Sequence, residues 1–230
     1  MKAKEITVLL PMKGHSERVP NKNMKLFNGK PLYHAIMSQL QQCDLVSRIV
    51  INTDSEIIAN NALKYFDKVL IHWRPEEIQG DFISMNDIID YDINKISDCN
   101  HFMQTHSTNP LLSYRTIEIA INKFFIESEN CYDSLFSVTK FQSRFYWKDG
   151  RAINHNPDEL IRTQDLSPIY EENSNLYIFS KDSFKNADNK RIGLNPFLFS
   201  MDPLEAIDID NQEDFVLAET LAKFKDNQYS

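Results

Sequence analysis

Hydrophobic positions along the chain fall into short runs separated by stripes at helical spacing. Ile6-Thr7-Val8-Leu9-Leu10 is a nearly continuous apolar run, the pattern of a strand covered on both faces. A polar loop from Met12 to Gly29 follows, and a helix is expected to begin near Pro31, whose fixed φ suits a first turn. Ser47 to Thr53 repeats the pattern of an apolar strand ending in polar residues, and Ser55 to Tyr65 carries a helical stripe of Ile57, Ile58, Ala62 and Tyr65. Val69-Leu70-Ile71 is a third short strand. Met85, Ile88, Ile89, Ile93 and Ile96 mark another helix, His101 to Gln104 a strand, and Ile117, Ile121 and Phe124 the helix after it. Leu135 to Thr139 begins a further strand. The stretch from Phe141 to Phe199 is less periodic, and the chain closes with an expected strand, Ala206 to Asp210, and a helix from Asn211 to Phe224.

Strands alternating with helices at this spacing predict one three-layer α/β domain over residues 1–230, with a mostly parallel sheet. Residues 141–199 are expected to hold a substrate or dimerisation insert. Open sheets of this kind bind ligands beyond the carboxyl ends of their strands. The loop Met12 to Asn23, Asp54, the Arg74 segment, His106 to Pro110 and the acidic pair near the end should therefore surround one cleft.

Composition narrows the function. A hydrophobic fraction of 42% supports a sizeable core, and a formal net charge of -8 disfavours a nucleic-acid partner, which requires a surplus of cations. Cys43, Cys99 and Cys131 stand far apart without paired metal-ligand spacing and read as reduced thiols. The first apolar run is too short for a signal peptide, and no apolar stretch reaches the ~20 residues that span a bilayer. These features lead to the expectation of a soluble cytoplasmic protein with no membrane partner.

The loop KGHSERVPNKN, from Lys13 to Asn23, carries Lys13, Arg18 and Lys22, the hydroxyl of Ser16, Gly14 and a stiffening Pro20. A triphosphate needs cations, exposed backbone N–H donors and close approach of main chain, and this loop offers all three. It has neither P-loop nor Rossmann spacing, and a solvated surface loop would carry similar residues. Near the other end, Asp208 and Asp210 stand two apart beside Ile207 and Ile209. On a strand both carboxylates face one side, which suits an octahedral Mg²⁺ bridging to phosphate oxygens. The competing role is a helix cap by Asp210 with Glu213, which leaves Asp208 unexplained.

These two segments resemble the signatures of the acylneuraminate (CMP-sialic acid) cytidylyltransferases. Ser16, Arg18, Pro20, Lys22, Asn23 and the block Gly29-Lys30-Pro31-Leu32 match that family in order and spacing, and Ile207-Asp208-Ile209-Asp210 with Asp214-Phe215 matches its closing signature. Lys13 stands where the family has arginine, and Glu17 where it has lysine, so one bidentate fork and one cation are lost. Thr53-Asp54-Ser55 is similar to the family's S-T-D turn, although a helix cap explains Asp54 as well. Arg74, Asp81 and Ser84 are similar to a segment that borders the cytosine; a surface arginine is the alternative. His106-Ser107-Thr108-Asn109-Pro110-Leu111 aligns with Q-P-T-S-P-L, with His106 in place of a sugar-contacting glutamine and Leu112 in place of an arginine. Gln164, Asn173 and Arg191 fall in further matching segments, where Thr163 departs from the family and Arg191 could equally be a surface residue.

The resemblance implies a Rossmann-like nucleotidyltransferase fold, CTP and an acidic sugar as substrates, Mg²⁺ as cofactor and a homodimer. It implies that Lys13, Ser16, Arg18 and Lys22 hold the phosphates, Asn23, Arg74, Asp81 and Ser84 the rest of the nucleotide, and Asp208 and Asp210 the metal. His106, Gln164, Asn173 and Arg191 would meet the sugar, with Lys13, Lys22, Asp208 and Asp210 closest to the chemistry. Sialic, legionaminic and pseudaminic acids all remain open as the acceptor. Two other functions share these features: a glycosyltransferase using Asp208-Ile209-Asp210 as its D-x-D, and a non-catalytic nucleotide-binding relative.

Overall fold

The computed structural model describes residues 5–16 and 19–228, with side chains to residue 224. In chain order the first half comprises β1 (Ile6–Leu9), the short strands β2 (Leu26–Phe27) and β3 (Lys30–Pro31), α1 (Tyr33–Gln42), β4 (Val46–Thr53), α2 (Glu56–Tyr65), β5 (Val69–Trp73) and α3 (Met85–Asn94). The second half comprises β6 (His101–Gln104), α4 (Tyr114–Ser128), β7 (Ser134–Phe141), β8 (Ile169–Ser180), α5 (Lys181–Asn186), β9 (Pro196–Ser200) and α6 (Gln212–Gln228). A seven-stranded sheet runs in the order β5-β4-β1-β6-β8-β7-β9, parallel except that β8 opposes both of its neighbours.

The layers follow from the period-2 alternation of β1. Ile6 and Val8 enter a core built with Ile36, Met37 and Leu40 of α1, Ile58 of α2 and Ile117 and Ile121 of α4. Leu9 points the other way, against Ile89 and Ile93 of α3 and Phe184 of α5. Helices thus cover both faces, as the near-continuous apolar run predicts. Each such side chain, removed from water, contributes about 1.5–3 kcal/mol. The three-layer α/β architecture with a mostly parallel sheet is present. No helix among the described residues is long and apolar enough to cross a membrane.

Four local expectations are corrected. Pro31 does not open a helix: Asn28 and Gly29, at φ 49° and 82°, form a two-residue turn that pairs β2 with β3, and α1 begins at Tyr33. Both positive φ values are what a twisted hairpin requires, and Asn-Gly supplies them at low cost. In α2 the buried stripe is Ile58, Ala59 and Ala62, while Ile57 and Tyr65 face solvent. The stretch 141–199 divides: β8, α5 and β9 join the main body, and residues 142–168 project with only an isolated bridge, Tyr146 to Ala152, and a short 3-10 turn. Finally, Ala206 to Asp210 is not a strand. A turn at 203–206 leads into an extended segment tied to the β6 loop by one backbone bond, Ile209 N–H to Thr108 O at 2.9 Å. Ile209 is nevertheless fully buried with Phe215 and Ala218 of α6, so the alternation that turns Asp208 and Asp210 away from the core survives without a ladder.

Candidate active site

A cleft of about 610 Å³ opens beyond the carboxyl ends of β1, β4, β5 and β6. It gathers Lys13, Ser16, Lys22, Asn23, Arg74, Asp81, His106, Arg191, Asp208 and Asp210. Arg18 and Glu17 lie outside the described residues. Ser84, Gln164 and Asn173 do not line the cleft.

One wall is the loop after β1. Its path is set at Gly14, whose N–H donates to Asp54 Oδ1 at 2.6 Å. A Cβ at Gly14 would lie 2.9 Å from Ser55 Cβ, so this close approach to the end of β4 needs glycine. Asp54 therefore braces the loop, and the α2 cap falls to Ser55, which accepts from Ile58 N–H. Asn23 links two loops: its Nδ2 donates to Lys13 O at 3.0 Å and its Oδ1 accepts from Ser107 Oγ at 2.6 Å. Lys13 pairs with the carboxylate of Asp81, joining this loop to the segment before α3. Lys22 Nζ donates to Ile209 O at 2.6 Å, which places an ammonium between the two aspartates of the acidic segment.

Asp208 and Asp210 line the same cleft. Burial pushes the Asp208 carboxyl above the usual carboxylate range; the Asp210 charge adds to the rise, while a hydrogen bond from Thr108 and the charge of Lys22 oppose it. The helix cap expected of Asp210 and Glu213 lies one residue further on: Asn211 Oδ1 accepts from Asp214 N–H at 2.9 Å, and Asp214 Oδ2 accepts from the N–H groups of Asp210 and Asn211. Among the described residues no three His, Cys, Asp or Glu side chains converge as a metal cage. Two mutually repelling carboxylates with all-oxygen chemistry fit a hard ion such as Mg²⁺, which keeps waters and takes phosphate oxygens, and do not fit a structural zinc.

The opposite wall is a polar relay. Arg191 stacks on Tyr177, its guanidinium carbon 3.6 Å from the ring centroid, and donates to Gln104 Oε1. Gln104 Nε2 in turn donates to His106 Nε2 at 3.0 Å. Burial, then the charges of Arg191 and Lys22, push the His106 imidazolium down to about 3. His106 is a neutral hydrogen-bonding group at physiological pH. Burial also lowers the Arg191 pKa from its usual range, opposed by Tyr177 and Glu172, and pushes the Tyr177 phenol up to about 12.

Three expected residues sit elsewhere. Ser84 is exposed and caps α3 by accepting from Asn86 N–H. Gln164 lies on the projecting segment, where its carbonyl accepts from Gln142. Asn173 turns inward, accepting from Ser137 Oγ at 2.6 Å and donating to Thr139 Oγ1 at 3.1 Å. Its neighbour Ser174, at φ 58°, lines the cleft instead. Sequence reasoning missed Ser174 because the bulge shifts the β7–β8 register by three residues; it placed Thr108 in a matching segment without giving it a role, and it missed Gln104, which neither type nor spacing marks.

A sequence profile of the family described as Cytidylyltransferase matches residues 7–229. The chain belongs to the cytidylyltransferase family. Among its relatives, Post-translational flagellin modification protein B of Campylobacter coli is 27% identical over 97% of each chain. Pseudaminic acid cytidylyltransferase of Campylobacter jejuni (serotype O:23/36) is 26% identical, covering 94% of this chain and 95% of that protein. N-acylneuraminate cytidylyltransferase A of Danio rerio is 27% identical over 95% of this chain, which spans only 51% of that protein. A solved structure of CMP:2-keto-3-deoxy-manno-octonic acid synthetase complexed with CTP superposes with a TM-score of 0.68 over 96% of this chain and 99% of that one, at 12% identity. That likeness shows a shared fold. Family membership agrees with the resemblance carried by the loop after β1 and the closing acidic pair.

Proposed function

We propose that this cytidylyltransferase transfers CMP from CTP to an acidic 2-keto sugar of the nonulosonate class and releases pyrophosphate. One observation carries the proposal: Lys22, from the loop after β1, donates to the backbone between Asp208 and Asp210, so a cation and a carboxylate pair from distant parts of the chain share one cleft. Nucleotidyl transfer needs that pairing, because the triphosphate must be neutralised on its phosphate side and held by a divalent ion. The curated relatives named for pseudaminic acid and N-acylneuraminate supply the acceptor class.

In this account Lys13, Ser16 and Lys22 hold the phosphates, with Lys13 leaving Asp81 as the triphosphate enters. Asn23 and Arg74 border the nucleoside. Asp208 and Asp210 would hold Mg²⁺, which when bound neutralises phosphate charge and lowers the pKa of a coordinated hydroxyl. Arg191 and His106 form the acceptor wall, Arg191 offering a charge to the sugar carboxylate and His106 a neutral contact. His106 is no general base, since its imidazolium pKa of about 3 makes it too weak and its Nε2 already accepts from Gln104. The acceptor hydroxyl attacks the α-phosphorus in line, its proton passes to water, and pyrophosphate leaves. Residues 142–168 expose Tyr146, Trp147, Leu160 and Ile161, and we assign this apolar projection, with Gln164, to a homodimer interface. We assign the reaction to the cytoplasm, a reading supported by its dependence on CTP.

A panel of 2-keto sugar acids, assayed for pyrophosphate with CTP and with UTP in the presence of Mg²⁺, tests the function. Release that requires both CTP and one of the acids supports it. Hydrolysis of a nucleotide sugar without CTP turnover would indicate a glycosyltransferase, and CTP binding without turnover on any acid a non-catalytic relative.

A further inference from the structure

α3 presents a core stripe of Met85, Ile88, Ile89 and Ile93, continued by Ile96 just past its end, and Asp92 stands in the middle of it with no exposure to solvent. A buried carboxylate costs several kcal/mol unless it is well paired, and an apolar residue at such a position is usually at least as stable. Asp92 is only half satisfied. Its Oδ1 accepts from Asn52 Nδ2 at 2.7 Å and lies 2.8 Å from His72 Nδ1, while its Oδ2 has no hydrogen-bond partner among the described residues. Stability therefore does not explain why a carboxylate is there.

Its connections lead to the cleft. Asn52, fully buried at the end of β4, turns its amide N–H toward Asp92 and its Oδ1 toward Arg74 Nε at 2.7 Å. Arg74 Nη2 donates to Asn52 O at 2.9 Å. Two of the guanidinium's three nitrogens are thus committed to Asn52, and Nη1 makes no hydrogen bond with the described residues, although Arg74 lines the cleft. An amide that could otherwise flip is held in one orientation because only its NH₂ can serve the carboxylate. Burial lowers the Arg74 pKa, and the charges of Asp54 and then Asp92 oppose it, favouring the protonated guanidinium.

We propose that Asp92, acting through Asn52, is a positioning residue that fixes the Arg74 guanidinium with its Nη1 edge presented to the nucleotide. The proposal rests on the assignment of the cleft to CTP. Pre-organisation of this kind removes the ordering cost of a long side chain from the binding step.

The test is a double-mutant cycle on CTP affinity, measured by calorimetry with Mg²⁺ and no acceptor, using Asp92→Asn, Arg74→Met and the pair. Asp92→Asn is expected to weaken CTP binding about tenfold, the size of one charged hydrogen bond, with the melting temperature unchanged or higher. The double variant is expected to bind CTP no more weakly than Arg74→Met alone. Losses that multiply, or an Asp92→Asn affinity equal to wild type, would overturn the relay while leaving the nucleotide assignment intact. If Asp92→Asn does not fold, Asn52→Ser takes its place in the same cycle with the same two outcomes. A wild-type protein that fails to bind CTP in the same titration would overturn the nucleotide assignment and the relay with it.

Discussion

At Asp208 the fold works against ionisation. Burial and the Asp210 charge raise its pKa, so the folded chain holds that proton more tightly than the unfolded one. The associated stability is greatest at low pH and is lost as pH rises through the unfolded and then the folded pKa. Asp208→Asn is therefore expected to melt at a higher temperature than wild type at pH 7 without divalent ions, while turnover falls on the order of 10³-fold. Scanning fluorimetry and a pyrophosphate assay check both; a lower melting temperature would mean that Asp208 stabilises the free chain. His106 runs the opposite way. Its pKa is lowered to about 3, so the neutral ring contributes stability above the unfolded value of 6.5 that is lost as pH falls toward 3. His106→Gln should flatten the fall of melting temperature between pH 7 and 5, with no change in the alkaline limb. The two-apart carboxylates could be read from sequence because alternation needs only extended backbone. The neutrality of His106 could not, because it depends first on burial by the folded chain and then on the charges of Arg191 and Lys22 arriving from distant segments. Nor could Asp92, unless a carboxylate inside an isoleucine stripe is itself taken as a signal.

The elements that place the site are the strand ends and the loops they launch. β1, β4 and β6 are legible because each is a short apolar run buried by helices from both sides, and the edge strand β5 because Val69-Leu70-Ile71 is apolar although only partly covered. β8 is not, although Leu176, Tyr177, Ile178 and Phe179 are fully buried in a central strand. Its first half, Ile169 to Ser174, is polar and bulged, and pairing with β7 extends the strand beyond what its own pattern supports. The Asn28-Gly29 hairpin was legible in type, yet the following proline points equally to a helix start. Gly14 is the residue on which the phosphate wall depends at this scale. Gly14→Ala places a methyl against Ser55 Cβ, which belongs to a helix cap and cannot swing away. The expected outcome is a stability loss of about 1–3 kcal/mol from the forced shift, together with a rise in KM for CTP of roughly tenfold as the loop leaves Asp54. An unchanged KM would separate this wall from nucleotide binding.

Across the whole molecule, the cleft at the sheet's carboxyl edge collects most of the residues named from sequence, because an open parallel sheet directs successive loops to one end. The projection of residues 142–168 stands apart from that logic, with Leu160 90% and Trp147 57% exposed. Sedimentation is expected to show a dimer, and Leu160→Asp with Trp147→Glu to give a folded monomer; a wild-type monomer would remove Gln164 and its neighbours from any shared site. The reaction as a whole is transfer of CMP from CTP to a sugar acid. Its most direct measurement follows CTP labelled at the α-phosphorus, incubated with Mg²⁺ and the acceptor acids. The expected result is label in an acid-sugar product and unlabelled pyrophosphate in equal amount. Label recovered only as free CMP, or retained in CTP with every acceptor, would contradict it.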